Sequence, residues 1–239
     1  MSDASPPQKM MVSVVVPVYC GSDYLAALVA ALDELRREWQ AQGAPFTLAE
    51  AIFVDDAAID DSGTKIDQLA REHSWIVPLH LARNFGQHPA TIVGILHSSW
   101  DWVVTMDEDL QHRPEVIATL LRKAVTEHAD IVYANPASAV HDAAIRDWTS
   151  RSFKRMMQWL TDNPNLSSFN SFRLIRGPVA RAAASVCSHD TYLDITLGWF
   201  TQSIRAIRIE MKDERYIKTK RSGYSLKSLL SHGWRMIFS

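Results

Sequence analysis

The sequence predicts an α/β fold, a mostly parallel sheet with helices on both faces, followed by a shorter C-terminal segment. Three observations predict it. Short β-branched runs alternate with apolar stripes at helical spacing through residues 11–135. Glycine and proline punctuate the alternation, as at Gly43-Ala44-Pro45, Gly86 and Pro114. The runs at 12–17, 48–54 and 102–106 stop abruptly on polar or acidic residues, which is how buried parallel strands end at a ligand-binding edge.

The first strand, over 12–17, leads into the turn Tyr19-Cys20-Gly21-Ser22, where Ser22 or Asp23 is expected to cap the next helix. That helix, over 23–40, repeats Leu25, Leu28, Leu32, Leu35 and Trp39 at helical spacing. The second strand, 48–54, ends on Asp55-Asp56, with Asp60-Asp61 close behind. A helix over 61–73 returns to a third strand, 76–81, which runs into Arg83-Asn84-Phe85-Gly86-Gln87. Then come a helix over 88–99, a strand over 102–106, a helix over 114–127 opened by Pro114, and a strand over 131–134.

Beyond residue 135, Arg146, Arg151, Lys154 and Arg155 share a helical pattern with Trp148, Phe153, Met156, Met157 and Leu160. Such a helix either rests on anionic lipid or packs its apolar face on the sheet. A strand over 169–175 carries Arg173, Tyr192-Leu193-Asp194 follows, and a further strand spans 204–211. The expected organisation is a disordered leader over 1–10 and a domain over 11–211, divided into halves at 11–135 and 136–211. A basic mobile loop and amphipathic helix then occupy 212–239.

A chain of 239 residues, 47% hydrophobic, suits one large domain with a sizeable core. A net charge of −2 argues against general nucleic-acid binding. Residues 200–239 nevertheless hold nine Lys/Arg against three acids, which leaves the body acidic and the tail suited to an anionic partner such as a membrane surface. Cys20 and Cys187 lie far apart, so a reduced, cytoplasmic setting is expected, peripheral on the membrane face. Residues 1–10 have no apolar signal core, and no run approaches the ~18 apolar residues of a membrane span.

The chemistry concentrates at Asp107-Glu108-Asp109. Two carboxylates at i and i+2, with no Lys or Arg between them, repel unless a cation lies near. Oxygen-only ligation favours Mg²⁺ or Mn²⁺, with positions left for substrate phosphates. The bland alternative is a solvated acidic loop. Asp56, with Asp55 as its neighbour, suits a nucleotide base or ribose, or else the pair caps a helix. Arg83 suits a diphosphate or base, or a surface ion pair. Gln111 and His112 either reach the diphosphate or cap. The G-x-G-x-x-G fingerprint is missing after the first strand, and no P-loop occurs.

These motifs, in order, resemble the family 2 glycosyltransferases of GT-A fold, especially the polyprenyl-phosphate sugar transferase branch. The matching residues are Val14-Val15-Val16-Pro17-Val18-Tyr19, Val54-Asp55-Asp56 with Asp60 and Ser62, Leu81-Ala82-Arg83-Asn84-Phe85-Gly86, and Met106 through His112. Further on they are Ser171-Phe172-Arg173, Tyr192-Leu193-Asp194 and Ser222-Gly223-Tyr224. The resemblance implies an inverting, hexosyltransferase-type enzyme in cell-surface polysaccharide synthesis. Its donor would be a UDP-, GDP- or dTDP-sugar, and its acceptor a polyprenyl phosphate or a glycan or lipid-linked hydroxyl. By the same resemblance, Asp109 touches the metal, Asp107 the ribose or a second metal position, and Pro17, Tyr19 and Arg173 belong to the donor side.

Arg215, Lys218 and Lys220 are expected to close over the leaving diphosphate. Asp194, with Asp190 behind it, is the candidate general base for a hydroxyl acceptor; a lipid phosphate is already ionised and needs little such help. The chain departs from the family pattern at Ala57-Ala58 for Gly-Ser, at Glu108 for Ala, at Arg113 for Pro and at Ser171 for Asp. Losing that glycine is expected to confine the turn to conformations open to alanine. The departures motivate a rival reading, a nucleotide-sugar-binding module without catalysis. A nucleotidyltransferase, the second rival, would need a Gly-rich phosphate loop that this chain lacks. No motif encodes the sugar, the base or the oligomeric state.

Overall fold

The computed structural model describes residues 9–137, 170–188 and 191–209. The expectations for the leader before residue 9, the basic helix at 146–160, Asp190, and Arg215, Lys218, Lys220 and the tail lie outside the described residues. The chain alternates β1 (Met10–Val18), α1 (Leu25–Ala41), β2 (Phe46–Asp55), α2 (Ser62–Glu72), β3 (Ile76–His80), α3 (Gln87–His97), β4 (Trp102–Thr105), α4 (Val116–Thr126) and β5 (Ile131–Pro136). It resumes with β6 (Arg173–Arg176), α5 (Gly177–Val186), α6 (Leu193–Phe200) and β7 (Ile204–Ile209).

The strands form one seven-stranded sheet in the order β3-β2-β1-β4-β6-β5-β7. Every pairing is parallel except those of β6, which runs antiparallel between β4 and β5. The expected architecture is therefore observed. Successive residues of β1 explain it: Val14 and Val16 face one core with Leu28, Leu32, Ile66, Ile117 and Leu120, whereas Val15 faces the other with Ile95, Val103, Ile175 and Leu197. A strand buried on both faces must be apolar throughout, and β1 is nearly so.

Several boundaries move. β1 begins at Met10, two residues early, because the Met10 amide donates to Pro45 O at 2.9 Å. Neither Ser22 nor Asp23 caps α1; its N-cap is Tyr24, without a side-chain cap bond. Ser22 is held elsewhere, its amide donating to Asp60 and its carbonyl accepting from Lys65. Pro114 and Glu115 form a turn ahead of α4. β6 is shorter than the predicted strand, and α5 and α6 were not foreseen as helices.

The topology has one consequence for function. β2 and β4 flank β1, so chain order reverses at β1 and the carboxyl ends of three strands share one edge. Open α/β sheets bind ligands at such a switch point.

Candidate active site

The centre of that edge is the loop after β4. Its middle residue, Glu108, is buried, and its carboxylate accepts the Tyr19 amide at 2.9 Å and the Cys20 amide at 3.3 Å. Gly21 packs so closely that a Cβ there would lie 2.7 Å from Glu108 Oε2. Glu108 thus ties the end of β1 to the end of β4, a role that alanine could not fill. Tyr19 is left 42% exposed at the rim.

Asp107 and Asp109 differ from each other. The Asp107 side chain is 29% exposed, and its oxygens accept from Gln87 Nε2 and, at 3.0 Å, from Ser171 Oγ. Where an aspartate at 171 would repel Asp107, the serine hydroxyl holds it. The Asp107 amide donates to His112 Nδ1 at 3.0 Å, and the His112 ring stacks on Phe172. Burial pushes the His112 pKa down despite Asp107 and Asp109 nearby, so the ring is a neutral brace. Asp109 is buried and accepts the Gln111 amide at 3.2 Å. Between them, Leu110 takes φ 61°, a strained conformation that aims the turn. Among the described residues no group of three His, Cys, Asp or Glu could hold a metal by itself. Two aspartates suit a hard cation that completes its shell with water and substrate phosphate, so the donor set fits Mg²⁺ or Mn²⁺.

The first turn of α3 is the hub that sequence reading missed. Asp56, 1% exposed, accepts the Phe85 amide at 2.7 Å and the Gly86 amide at 2.8 Å. The carboxylate expected on the base or ribose thus braces the Arg83–Gly86 loop from inside, and its neighbour Asp55 is the more exposed of the two. Arg83 is exposed, its guanidinium 4.7 Å over the Phe85 ring. Gln87 reaches Asp107. His88 stacks on Tyr192 at 4.8 Å, with Nε2 2.9 Å from the Leu193 amide. Three successive residues therefore connect β2, β4 and α6. The signal was present in Gly86-Gln87-His88, polar side chains at a helix start beside a strand edge.

Asp55 stands at the other side of β2, partly exposed. Its Oδ1 accepts the Ala58 amide at 2.7 Å and its Oδ2 lies 2.9 Å from His80 Nδ1. The turn that follows contradicts the expectation for Ala57: the residue adopts φ 50° without glycine, held by that Asp55 bond. Capping of the α2 region falls to Asp60, whose Oδ1 accepts the Ser62 amide at 3.0 Å. Burial alone would raise the Asp60 pKa, but bonds from Ser62 and Ser22 outweigh it and hold the carboxyl low.

Arg173 and Asp194 are placed in the interior. Arg173 extends from β6, level with Thr105 of β4 and Tyr133 of β5, and its guanidinium pairs with buried Asp194. The Tyr133 hydroxyl donates to the same Asp194 oxygen at 2.7 Å. Burial would discharge Arg173, yet the Asp194 carboxylate holds it charged. Burial, with Asp194 beside it, pushes Tyr133 well above its ordinary value. Neither Arg173 nor Asp194 is open to the edge where Asp107 lies. Pro17 is a ladder residue opposite Val54.

A sheet of this order, with aspartates on its strand ends and no phosphate loop, has the GT-A glycosyltransferase architecture. Solved structures of that fold superpose on it: Mycobacterium tuberculosis glucosyl-3-phosphoglycerate synthase at TM-score 0.63 and 14% identity, covering 95% of this chain and 78% of that one. Staphylococcus aureus TarS 1-349 in complex with UDP aligns at TM-score 0.59 and 15% identity, over 84% and 59% of the two chains. The chain belongs to glycosyl transferase family 2, whose sequence model matches residues 13–181. It is similar to the undecaprenyl-phosphate 4-deoxy-4-formamido-L-arabinose transferase of Salmonella dublin, 28% identical over 96% of this chain and 68% of that protein. The enzyme of that name from Pseudomonas aeruginosa is 31% identical over 92% of this chain and 63% of its own length. Among the described residues no helix is long and apolar enough to cross a membrane.

Proposed function

We propose that the chain moves a sugar from a nucleoside-diphosphate sugar to a polyprenyl phosphate, with inversion, on an anionic membrane surface. The observation that carries the reading is the pair Asp107 and Asp109 at the end of β4, the first braced by Gln87 and Ser171 and still partly open. Asp109 and Asp107 would hold the divalent ion. When bound, that ion offsets the charge gathering on the departing diphosphate. Asp55 would accept a base N–H or ribose hydroxyl, Tyr19 and Arg83 would line the nucleotide, and Gln111 would reach the diphosphate.

The surroundings of Asp194 support a phosphate acceptor. Asp194 is buried, and its Oδ1 already accepts from both the Arg173 guanidinium and the Tyr133 hydroxyl, away from the edge where Asp107 lies. We therefore read Asp194 as positioning Arg173 and Tyr133 rather than as a base. A phosphate nucleophile needs no such base. Its oxygen forms the new bond to the anomeric carbon as the bond to the nucleotide diphosphate breaks, and the electron pair leaves with the diphosphate. The names of the two undecaprenyl-phosphate transferases support the same acceptor class.

The test is nucleotide release by purified protein with Mn²⁺ or Mg²⁺, across UDP-, GDP- and dTDP-sugars, with and without a short polyprenyl phosphate. Release that requires the lipid is the expected result. Release regardless of lipid would reassign the acceptor to a hydroxyl. Binding without release under every condition would make the chain a nucleotide-sugar-binding module.

A further inference from the structure

We propose that His80 is a positioning residue for Asp55, acting as an imidazolium strung between Asp55 and Asp67. The inference rests on the reading of Asp55 as a nucleotide ligand and adds to it the device that orients and partly neutralises that carboxylate.

His80 is the last residue of β3 and lies opposite Asp55 in the β2–β3 ladder. Its Nδ1 is 2.9 Å from Asp55 Oδ2 and its Nε2 is 3.0 Å from Asp67 Oδ1. A neutral imidazole carries one N–H, so one of the two carboxylates would face a ring lone pair; the imidazolium donates to both. Among the described residues, the charged groups facing the ring are Asp55 from β2 and Asp67 from α2. Among the described residues no Lys or Arg pairs with Asp55.

The space for this pair is built in. Gly63, in the first turn of α2, has no side chain where a Cβ would lie 2.6 Å from Asp55 Oδ2 and 3.8 Å from His80 Nδ1. With Ala58 N on one oxygen and His80 on the other, both oxygens of the Asp55 carboxylate are oriented. Each oxygen has two lone pairs, so acceptor capacity remains for a ligand N–H or O–H. The bond to Asp55 is the main cause of a raised His80 pKa, with Asp67 adding to it against the effect of burial. The sign follows: the imidazolium is complete below the ordinary histidine range and is lost as pH rises through the raised value. Above that value the ring serves one carboxylate only, and Asp55 loses its neighbouring positive charge while a diphosphate ligand approaches.

The full chain is titrated calorimetrically with UDP, and in parallel with GDP, in Mg²⁺ from about pH 5.5 to about pH 8.5. Wild type, His80→Asn and Asp67→Asn are compared. The nucleotide's own titration is common to all three, so the ratio to wild type isolates the ring. His80→Asn keeps an N–H near Asp55 but not the charge. It should bind roughly fivefold more weakly at the acid end and converge with wild type at the alkaline end. Asp67→Asn, which does not touch Asp55, should move the wild-type transition to lower pH. Equal affinities for wild type and His80→Asn at every pH, or an unmoved transition in Asp67→Asn, would overturn the inference and leave the nucleotide reading standing. A wild type that binds neither nucleotide at any pH overturns the nucleotide reading itself, and this inference with it.

Discussion

Two aspartates one strand apart have opposite fates. Asp107 follows the end of β4 and Asp194 is bound to Arg173, the β6 residue paired with Thr105 of that same β4. Asp107 leaves the sheet with its side chain 29% exposed and its oxygens held by uncharged donors. Asp194 is 3% exposed and held by a full positive charge. The first can still accept a cation or a hydroxyl. The second has spent its charge on the interior, where Arg173 Nε, among the described residues, is buried without a hydrogen-bond partner. Residue type therefore says little here; what matters is which partner neutralises the carboxylate and how much water reaches it.

Breaking the interior pair should give the largest effect. Asp194→Ala leaves a buried guanidinium unpaired and is expected to cost about 3–5 kcal/mol of stability, read from denaturant unfolding. Replacing both partners, Arg173→Met with Asp194→Leu, should recover most of it, and a double variant as unstable as the single one would contradict the pairing. At the edge the signature reverses. Asp109→Ala should lower metal-dependent turnover by about a hundredfold or more while the unfolding midpoint stays near wild type. Retained turnover would remove the metal assignment. Ser171→Ala takes one hydroxyl donor from Asp107 and should reduce turnover roughly fivefold. An unchanged rate would mean that Gln87 alone suffices. Smallest is Ala57→Gly. Relieving φ 50° should stabilise the fold by about 0.5–1 kcal/mol, and a lower melting temperature would show that the Asp55 bond already offsets the strain.

The edge was legible in the sequence because parallel strands announce their own ends. Valine and isoleucine runs buried on both faces must stop where side chains meet solvent, and at β2 and β4 the stops are Asp55-Asp56 and Asp107-Glu108-Asp109. Which carboxylate does what was not legible. Asp55 and Asp56 are adjacent, yet alternation of direction sends one toward α2 and His80 and the other into the amides of Phe85 and Gly86. Glu108 looked like a third acid of a cluster and is the clamp on Tyr19 and Cys20. Ser171 looked like a loss and is a donor to Asp107.

The sequence by its periodicity and punctuation dictates the sheet, its two covered faces and the edge at which the carboxylates gather, because those depend on local pattern and on burial of whole strands. Only the tertiary structure decides the pairings: Arg173 with Asp194, His80 with Asp55 and Asp67, Gln87 with Asp107. These join residues from different elements across the sheet and its loops, and the orientation and reach of each carboxylate depend on a partner that no local pattern names.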